Sequence, residues 1–279
     1  MLLINTIKEL QNKLYDWRET GTIGFVPTMG ALHQGHLSLV EQAVSENQIV
    51  VVSIFVNPTQ FNDSSDLEKY PRTLESDLEF LKSTGCQFVF VPNVKEVYPE
   101  PDNSKFNFGK LETVMEGKHR PGHFNGVAQV VSKLFDMVKP NKAYFGLKDF
   151  QQLAIIKSMV NQFNLPVEIV SCPIIREGSG LAMSSRNELL TSEQRKNASL
   201  LFEILSKAKE QKGEKTVTEI KDWVIENINK NSFLNVEYFE IVDDIHLQSV
   251  AKWNDKKRKI GCVAAFCGNV RLIDNIYFN

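Results

Sequence analysis

Residues 21–40, GTIGFVPTMGALHQGHLSLV, constrain the fold of this chain more than any other stretch. Positions 22–26 are an apolar run suited to a buried parallel strand, Pro27 and Gly30 break it, and 28–32 form a tight loop. Leu37, Val40 and Val44 then recur at the spacing of a helix's buried face. A strand that turns through glycine into a helix N-terminus is an anion site, because first-turn N–H groups lack intrahelical partners and sit at the positive end of the macrodipole. His33 and His36 share one side of that turn, and Gly35 between them leaves room for a base or phosphate to approach the backbone. Taken alone, H-x-G-H also describes two surface histidines at a helix start, so the other stretches must decide.

At 279 residues and 42% hydrophobic content, the chain can form one large or two medium domains with a packed core. A formal net charge of -2 offers no broad electrostatic footprint, so neither nucleic acid nor an anionic membrane is expected as a partner. Cys86, Cys172, Cys262 and Cys267 are few for this length. The runs around Cys172 and Cys262 suggest buried thiols, with a Cys262–Cys267 bridge the less favoured alternative. The opening MLLINTIKELQNKL has no basic stretch followed by a long apolar segment, and the longest apolar run, 49–56, is interrupted by Ser53 and too short for a bilayer. A cytoplasmic protein is expected.

Along the chain, Thr6 with Glu9 suggests a capped amphipathic helix bearing Ile7, Leu10, Leu14 and Trp17. After the histidine helix, 49–56 reads as a second buried strand that runs into Asn57-Pro58-Thr59-Gln60-Phe61. Ligands of open α/β sheets bind at the carboxyl ends of strands, so Asn57 and Gln60 are site candidates by position. Pro71 opens a helix carrying Leu74, Leu78 and Leu81, Gly85 closes it, and 87–91 is a third strand. Residues 93–126 read as irregular and hold EGKHRPGHFNG, whose His119, Arg120 and His123 favour an anionic ligand. A helix face at 127–138, a strand at 142–146 ending in Leu147-Lys148-Asp149-Phe150-Gln151-Gln152, a helix through Met159 and a fifth strand at 167–175 follow.

The pattern changes near Gly178 to helices at about 191 and 216–230 and short strands at 236–242, 262–266 and 270–276. The expectation is an α/β fold: a Rossmann-like, doubly wound parallel sheet of about five strands over 1–177, then a smaller α+β domain over 178–279. The basic run Lys256, Lys257, Arg258 and Lys259, after Asn254-Asp255, is expected as a solvated hairpin tip.

Polar clusters at 28–36, 57–60, 146–152 and 183–186 each lie just after an expected parallel strand, which converges them on one cleft. Imidazoles, Lys148, Arg186, Ser184 and Ser185 are charge stabilisers, and no serine elbow or carboxylate pair is evident, so the inventory suits phosphorus-centred chemistry. Neither G-x-x-x-x-G-K-[ST] nor a complete G-x-G-x-x-G is present. His33/His36 with His119/His123 could alternatively ligate zinc, but no cysteine or acid completes either pair locally.

PTMGALHQGH, SIFVNPTQF, YPRT, EGKHRPGHFNGV, YFGLKDFQQL and GLAMSSRN, in that order, closely resemble the pantoate-beta-alanine ligase family of the H-x-G-H nucleotidyltransferase superfamily, over residues 24–187. The resemblance implies a cytoplasmic homodimer that converts ATP and (R)-pantoate to a pantoyl adenylate and pyrophosphate, after which beta-alanine gives pantothenate and AMP. By motif position it implies an ATP site of Met29, Gly30, Ala31, Leu32, His33, Gln34, Gly35 and His36, with Gly146, Leu147, Lys148, Asp149, Ile175, Met183, Ser184, Ser185 and Arg186. His36 would be the proton donor, His33 its companion on the phosphates, and Lys148 and Arg186 the catalytic cations. Gln60 and Gln152 would hold pantoate, Gln60 also meeting beta-alanine, and Asp77 is the candidate contact for Mg2+. Leu147 stands where the family commonly has an acidic residue. The alternatives are another H-x-G-H nucleotidyltransferase, which the paired glutamines and AMSSRN disfavour, and a non-catalytic nucleotide-binding module.

Overall fold

Apolar residues alternate across the first two long strands in a way that demands cover on both sides. Phe25 and Val51 enter one buried cluster, whereas Val26, Val50 and Val52 enter another. The computed structural model describes residues 1–62, 64–254 and 257–278. In it, β1 (Leu2–Ile4), β2 (Ile23–Thr28), β3 (Ile49–Ile54), β4 (Phe88–Phe90), β5 (Lys142–Gly146) and β6 (Glu168–Cys172) form one sheet in the order β1-β4-β3-β2-β5-β6. All its pairings are parallel. Helices Ile7–Thr20, His123–Val138 and Phe150–Gln162 cover the first face through Leu10, Leu14, Val127, Leu134, Leu153 and Ile156. Helices Gln34–Glu46 and Leu74–Lys82 cover the second through Leu39, Val40, Ala43 and Leu81. The doubly wound α/β expectation holds, with six strands rather than five.

Several boundaries differ from the sequence reading for identifiable reasons. The additional strand, β1, is three residues long and pairs only with β4, too short to carry a periodic signal. Strand β2 continues through Pro27 to Thr28, because β5 pairs only with Gly24 and Phe25 and no further ladder bond is asked of that side. The helix expected from Pro71 starts at Leu74 behind Thr73, and the fifth expected strand stops at Cys172 rather than Ile175. The stretch read as irregular contains short helices Val94–Val97 and Met115–His119, and His123 is the first residue of a long helix rather than part of a loop.

Beyond the parallel sheet, β7 (Leu234–Asp243), β8 (Lys259–Cys267) and β9 (Val270–Tyr277) form an antiparallel sheet in the order β7-β8-β9. Helices Leu200–Glu210 and Val217–Asn229 close its own core around Leu205, Ile220, Val224, Phe239 and Val263. Of the basic run, Lys256 and the preceding Asp255 lie outside the described residues. Lys257 and Arg258 meet Asp243 and Asp244 at 3.7 and 2.7 Å, and Lys259 is buried within β8 rather than solvated at a tip. All four cysteines are buried free thiols. Cys262 and Cys267 stand on one strand five positions apart, about 16 Å at strand rise, so no bridge can join them. Among the described residues no helix is long and apolar enough to cross a membrane.

Candidate active site

The strand order reverses between β2 and β5: the chain proceeds from β2 outward to β3 and β4 on one side, and from β5 to β6 on the other. Loops leaving the carboxyl ends at such a switch point enclose a crevice. A cavity of about 220 Å³ opens there, lined by Met29, His33, Gly35, His36, Gln60, Gly146, Lys148, Asp149, Gln152, Ile175, Met183, Ser184, Ser185 and Arg186. A second cavity of about 380 Å³ shares Met29, Gln60, Lys148, Asp149, Gln152, Ser184 and Arg186 and continues toward Arg120, His123, Tyr238, Arg271 and Asn275. The predicted clusters at 28–36, 57–60, 146–152 and 183–186 therefore do meet.

His33 is the N-cap of the helix Gln34–Glu46, and its Nδ1 accepts from the Gly35 N–H at 3.1 Å. The His36 Nδ1 accepts from the His33 N–H at 3.3 Å, so two imidazoles complete a reciprocal capping box. An accepting Nδ1 in a neutral ring leaves Nε2 as the donating nitrogen. Burial lowers His33 to about 4, helped by Lys148, and lowers His36 to about 3, helped by His33 and then Lys148. Both rings are thus neutral donors near pH 7. The anion site expected at bare first-turn amides is reassigned accordingly: the Gly35 amide is spent on His33, and the His36 amide bonds the His33 carbonyl at 2.8 Å. Gly35 also has a different reason for being glycine. A Cβ there would stand 2.9 Å from two atoms of the His33 ring.

Asp77 is 2% exposed, and its carboxylate accepts from the N–H groups of Ala31 at 2.9 Å and Leu32 at 2.8 Å and from the Thr73 hydroxyl at 3.1 Å. Both Asp77 oxygens therefore brace the 30–32 loop, and the Mg2+ contact expected of this residue would have to share them. They hold Ala31 at φ 50°, a left-handed conformation that a non-glycine residue adopts only when its surroundings enforce it. Gly30, Ala31, Leu32 and Gln34 do not line either cavity. They build the loop rather than its wall.

Gln60 is fixed from three sides. Its side-chain oxygen accepts from Asn57 Nδ2 at 3.2 Å, its amide nitrogen lies 2.9 Å from the Met29 sulfur, and its backbone carbonyl accepts from His123 Nδ1 at 2.8 Å. Asn57 itself donates to the Gly126 carbonyl. A Cβ at Gly126 would lie 2.3 Å from the Thr59 carbonyl oxygen, so only glycine lets the helix His123–Val138 abut this turn. With Nδ1 donating, His123 Nε2 is an acceptor and meets Arg120 Nη1 at 3.2 Å; burial and then Arg120 lower this histidine to about 4. His119 Nδ1 instead faces Glu237 at 3.7 Å. The four histidines weighed as zinc ligands are thus engaged separately.

Lys148 and Asp149 leave β5 on the turn Leu147–Asp149, their charged ends 3.4 Å apart. Burial raises the Asp149 carboxyl, but Lys148 beside it holds it below its ordinary value. Leu147 lines neither cavity and packs into the apolar clusters, so the residue that replaces an acid in this motif faces away from the cleft. Gln151 is spent on the Glu116 N–H and on the carbonyls of Leu111 and Val114, whereas Gln152 lines both cavities. The 183–187 loop is pinned by Asn187 Nδ2 to Glu177 and to the Ala182 carbonyl. Its Ser185 hydroxyl lies 3.3 Å from the Tyr70 hydroxyl, and Arg186 lies over the Tyr70 ring.

A family model described as Pantoate-beta-alanine ligase matches residues 2–277. The chain belongs to the pantoate-beta-alanine ligase family. A pantothenate synthetase of Porphyromonas gingivalis is 56% identical over 279 residues, which is 100% of this chain and 99% of that protein. The pantothenate synthetase structure from Thermus thermophilus superposes with a TM-score of 0.93 at 42% identity, covering 100% of this chain and 99% of that one. A pantoate-beta-alanine ligase from Francisella tularensis, solved with beta-gamma ATP and beta-alanine, gives 0.84 at 38% identity, covering 100% and 98%. The match therefore spans the antiparallel sheet as well as the motif-bearing half. Sequence reasoning about the ligase missed Tyr70, Phe55 and the wall formed by Val127, Val130 and Val131. The valines were legible as a helix face but gave no local sign that this face turns toward a ligand.

Proposed function

We propose that the cleft joins (R)-pantoate to beta-alanine in two steps, with ATP as the activating substrate. Ligation is the activity of the family to which the chain belongs. In the first step a pantoate carboxylate oxygen attacks the α-phosphorus, and the bond to the bridging oxygen breaks as pyrophosphate leaves with the electron pair. In the second the neutral amine of beta-alanine attacks the acyl carbon, AMP departs with its oxygen, and the nitrogen loses a proton.

The observation that carries this reading is the pair of Nδ1-locked imidazoles facing the same cavity as Lys148, Arg186, Gln60 and Gln152. Fixed Nε2–H donors and two cations stabilise charge that builds on phosphoryl oxygens, without reorganisation at the moment of reaction. Gln60, with its oxygen held by Asn57, presents its NH2 group, and Gln152 supplies a second amide. Amides can bond a carboxylate and hydroxyls without placing a full positive charge on the attacking oxygen. Val127, Val130 and Val131 offer an apolar wall for the geminal methyl groups of pantoate.

Asp149 is the acidic residue lining the smaller cavity, and with the triphosphate it would hold Mg2+ brought in on ATP, where the ion supplies charge neutralisation. We further propose that residues 178–279 act as a lid that carries Ser184, Ser185 and Arg186 onto the phosphates. The homodimer implied by the resemblance has support in Leu2 and Leu3, exposed on edge strand β1, and a cytoplasmic location accords with four unbridged cysteines. The test is single-turnover pyrophosphate release: it should require pantoate and Mg2+ but not beta-alanine. Absence of pyrophosphate until beta-alanine is added would remove the two-step reading.

A further inference from the structure

Asn275 lies in β9, far in sequence from every motif of the cleft, yet it reaches the turn that carries Lys148. Its Nδ2 donates to the Leu147 carbonyl at 2.9 Å and to the Lys148 carbonyl at 3.0 Å, and the residue is buried. One amide nitrogen thus holds two successive peptide planes, which fixes the direction in which the Lys148 side chain leaves the backbone. The lysine stem has four rotatable bonds, so an unconstrained turn would spread its ammonium over several ångströms.

The donor is itself braced. The Asn275 N–H bonds Asp274 Oδ1 at 2.7 Å, and Asp274 takes the Arg176 guanidinium through two contacts of 2.7 and 2.9 Å. Arg176 directly follows Ile175, which lines the smaller cavity. The end of β9 therefore clamps both loops that flank the nucleotide side of the cleft, the one after β5 and the one after β6.

We propose that Asn275 is a positioning residue for adenylation, acting through Lys148. This rests on the reading of Lys148 as a cation for the phosphates of ATP. It gives the antiparallel sheet a direct part in the first chemical step.

The experiment is a double-mutant cycle on pyrophosphate release with ATP and pantoate, using wild type, Asn275→Asp, Lys148→Ala and the double variant. Asn275→Asp keeps the shape but turns carboxylate oxygens toward the two carbonyls. In the wild-type background kcat should fall about tenfold or more, with KM for pantoate unchanged within about twofold. In the Lys148→Ala background the same substitution should cost less than about twofold, since the group it positions is gone. Equal losses in the two backgrounds, or a near-wild-type kcat in the single variant, would overturn the proposal. Should Asn275→Asp fail to fold beside Asp274, Asn275→Ala takes its place in the cycle, and failure of both would make Asn275 a stability residue only. A wild-type rate in Lys148→Ala would instead overturn the parent reading of Lys148, a distinct result.

Discussion

His33 and His36 cap one helix against each other: each Nδ1 accepts a backbone N–H of the same turn, and the ring centroids stand 4.1 Å apart. The arrangement explains why the motif needs imidazoles at these positions. Serine or aspartate would cap the helix as well, but neither leaves a second, donating nitrogen on the cleft side. Capping and charge stabilisation are thus two ends of the same rings, and substitutions must be read with both in mind.

His36→Ala is expected to slow pyrophosphate release by about 10²-fold or more, the usual cost of one preorganised donor. It should also lower stability by about 1 kcal/mol through the lost cap. Urea denaturation and single-turnover kinetics measure the two separately. A normal first-step rate with a lowered midpoint would make His36 structural.

Acid should destabilise the protein before its carboxylates titrate. His33, His36 and His123 take up a proton near pH 6.5 when unfolded but only near about 4, about 3 and about 4 when folded, because burial disfavours the charged ring. Between these limits the unfolded chain binds more protons, so stability rises with pH; it is fully present above 6.5 and falls as pH drops below. The urea midpoint should decline from pH 7 to 5, and His36→Gln should reduce the slope by about one proton, roughly 1.4 kcal/mol per pH unit. The pH profile of kcat/KM for ATP should show no inflection at 6.5 from these rings. A slope that His36→Gln leaves untouched would contradict the assignment.

Asp77→Asn leaves one acceptor where two N–H groups and a hydroxyl converge. An unsatisfied buried donor costs about 1–3 kcal/mol, and the relaxed 30–32 loop should slow adenylation by about tenfold. If Asp77 serves the loop, raising Mg2+ should not restore the rate. Recovery at high Mg2+ with unchanged stability would return Asp77 to the metal.

Much of the parallel sheet was legible because its strands are continuous apolar runs and its helices show a buried stripe, signals confined to a dozen residues. The clusters around His36, Gln60, Lys148 and Arg186 were legible for a related reason: each follows a strand, and parallel topology brings strand ends together. The bracing role of Asp77 was not legible, because a carboxylate on an amphipathic helix carries no local mark of a loop 45 residues away that donates to it. Asn275 was not seen at all, since its partners lie 127 and 128 residues distant and an asparagine in a strand carries no local mark.

Arg186→Ala should reduce adenylation far more than it weakens pantoate binding, because Gln60 and Gln152 sit on the parallel-sheet side. Single-turnover rates set against a pantoate titration separate the two. If residues 178–279 close as a lid, ATP with pantoate should also reduce the radius of gyration in solution scattering. An unchanged radius together with wild-type adenylation in Arg186→Ala would sink that idea.

Arg271 of β9 grips Glu116 through contacts of 2.8 and 2.6 Å and Glu237 at 2.5 Å, while the Tyr238 hydroxyl donates to Glu116 at 2.7 Å. Burial would raise the Glu116 carboxyl, but Arg271 more than offsets it and holds the group ionised. The side chains of Arg271, Glu116 and Glu237 are only 19%, 12% and 18% exposed, so removing Arg271 takes the shared cation from two part-buried carboxylates. Arg271→Met should therefore cost about 3–5 kcal/mol, whereas adding Glu116→Gln and Glu237→Gln to it should recover much of that, because both desolvated carboxylate charges are then gone as well. Comparing urea midpoints across the cycle tests this. Wild-type stability in Arg271→Met would show that this clasp does not hold the antiparallel sheet against the 115–119 helix.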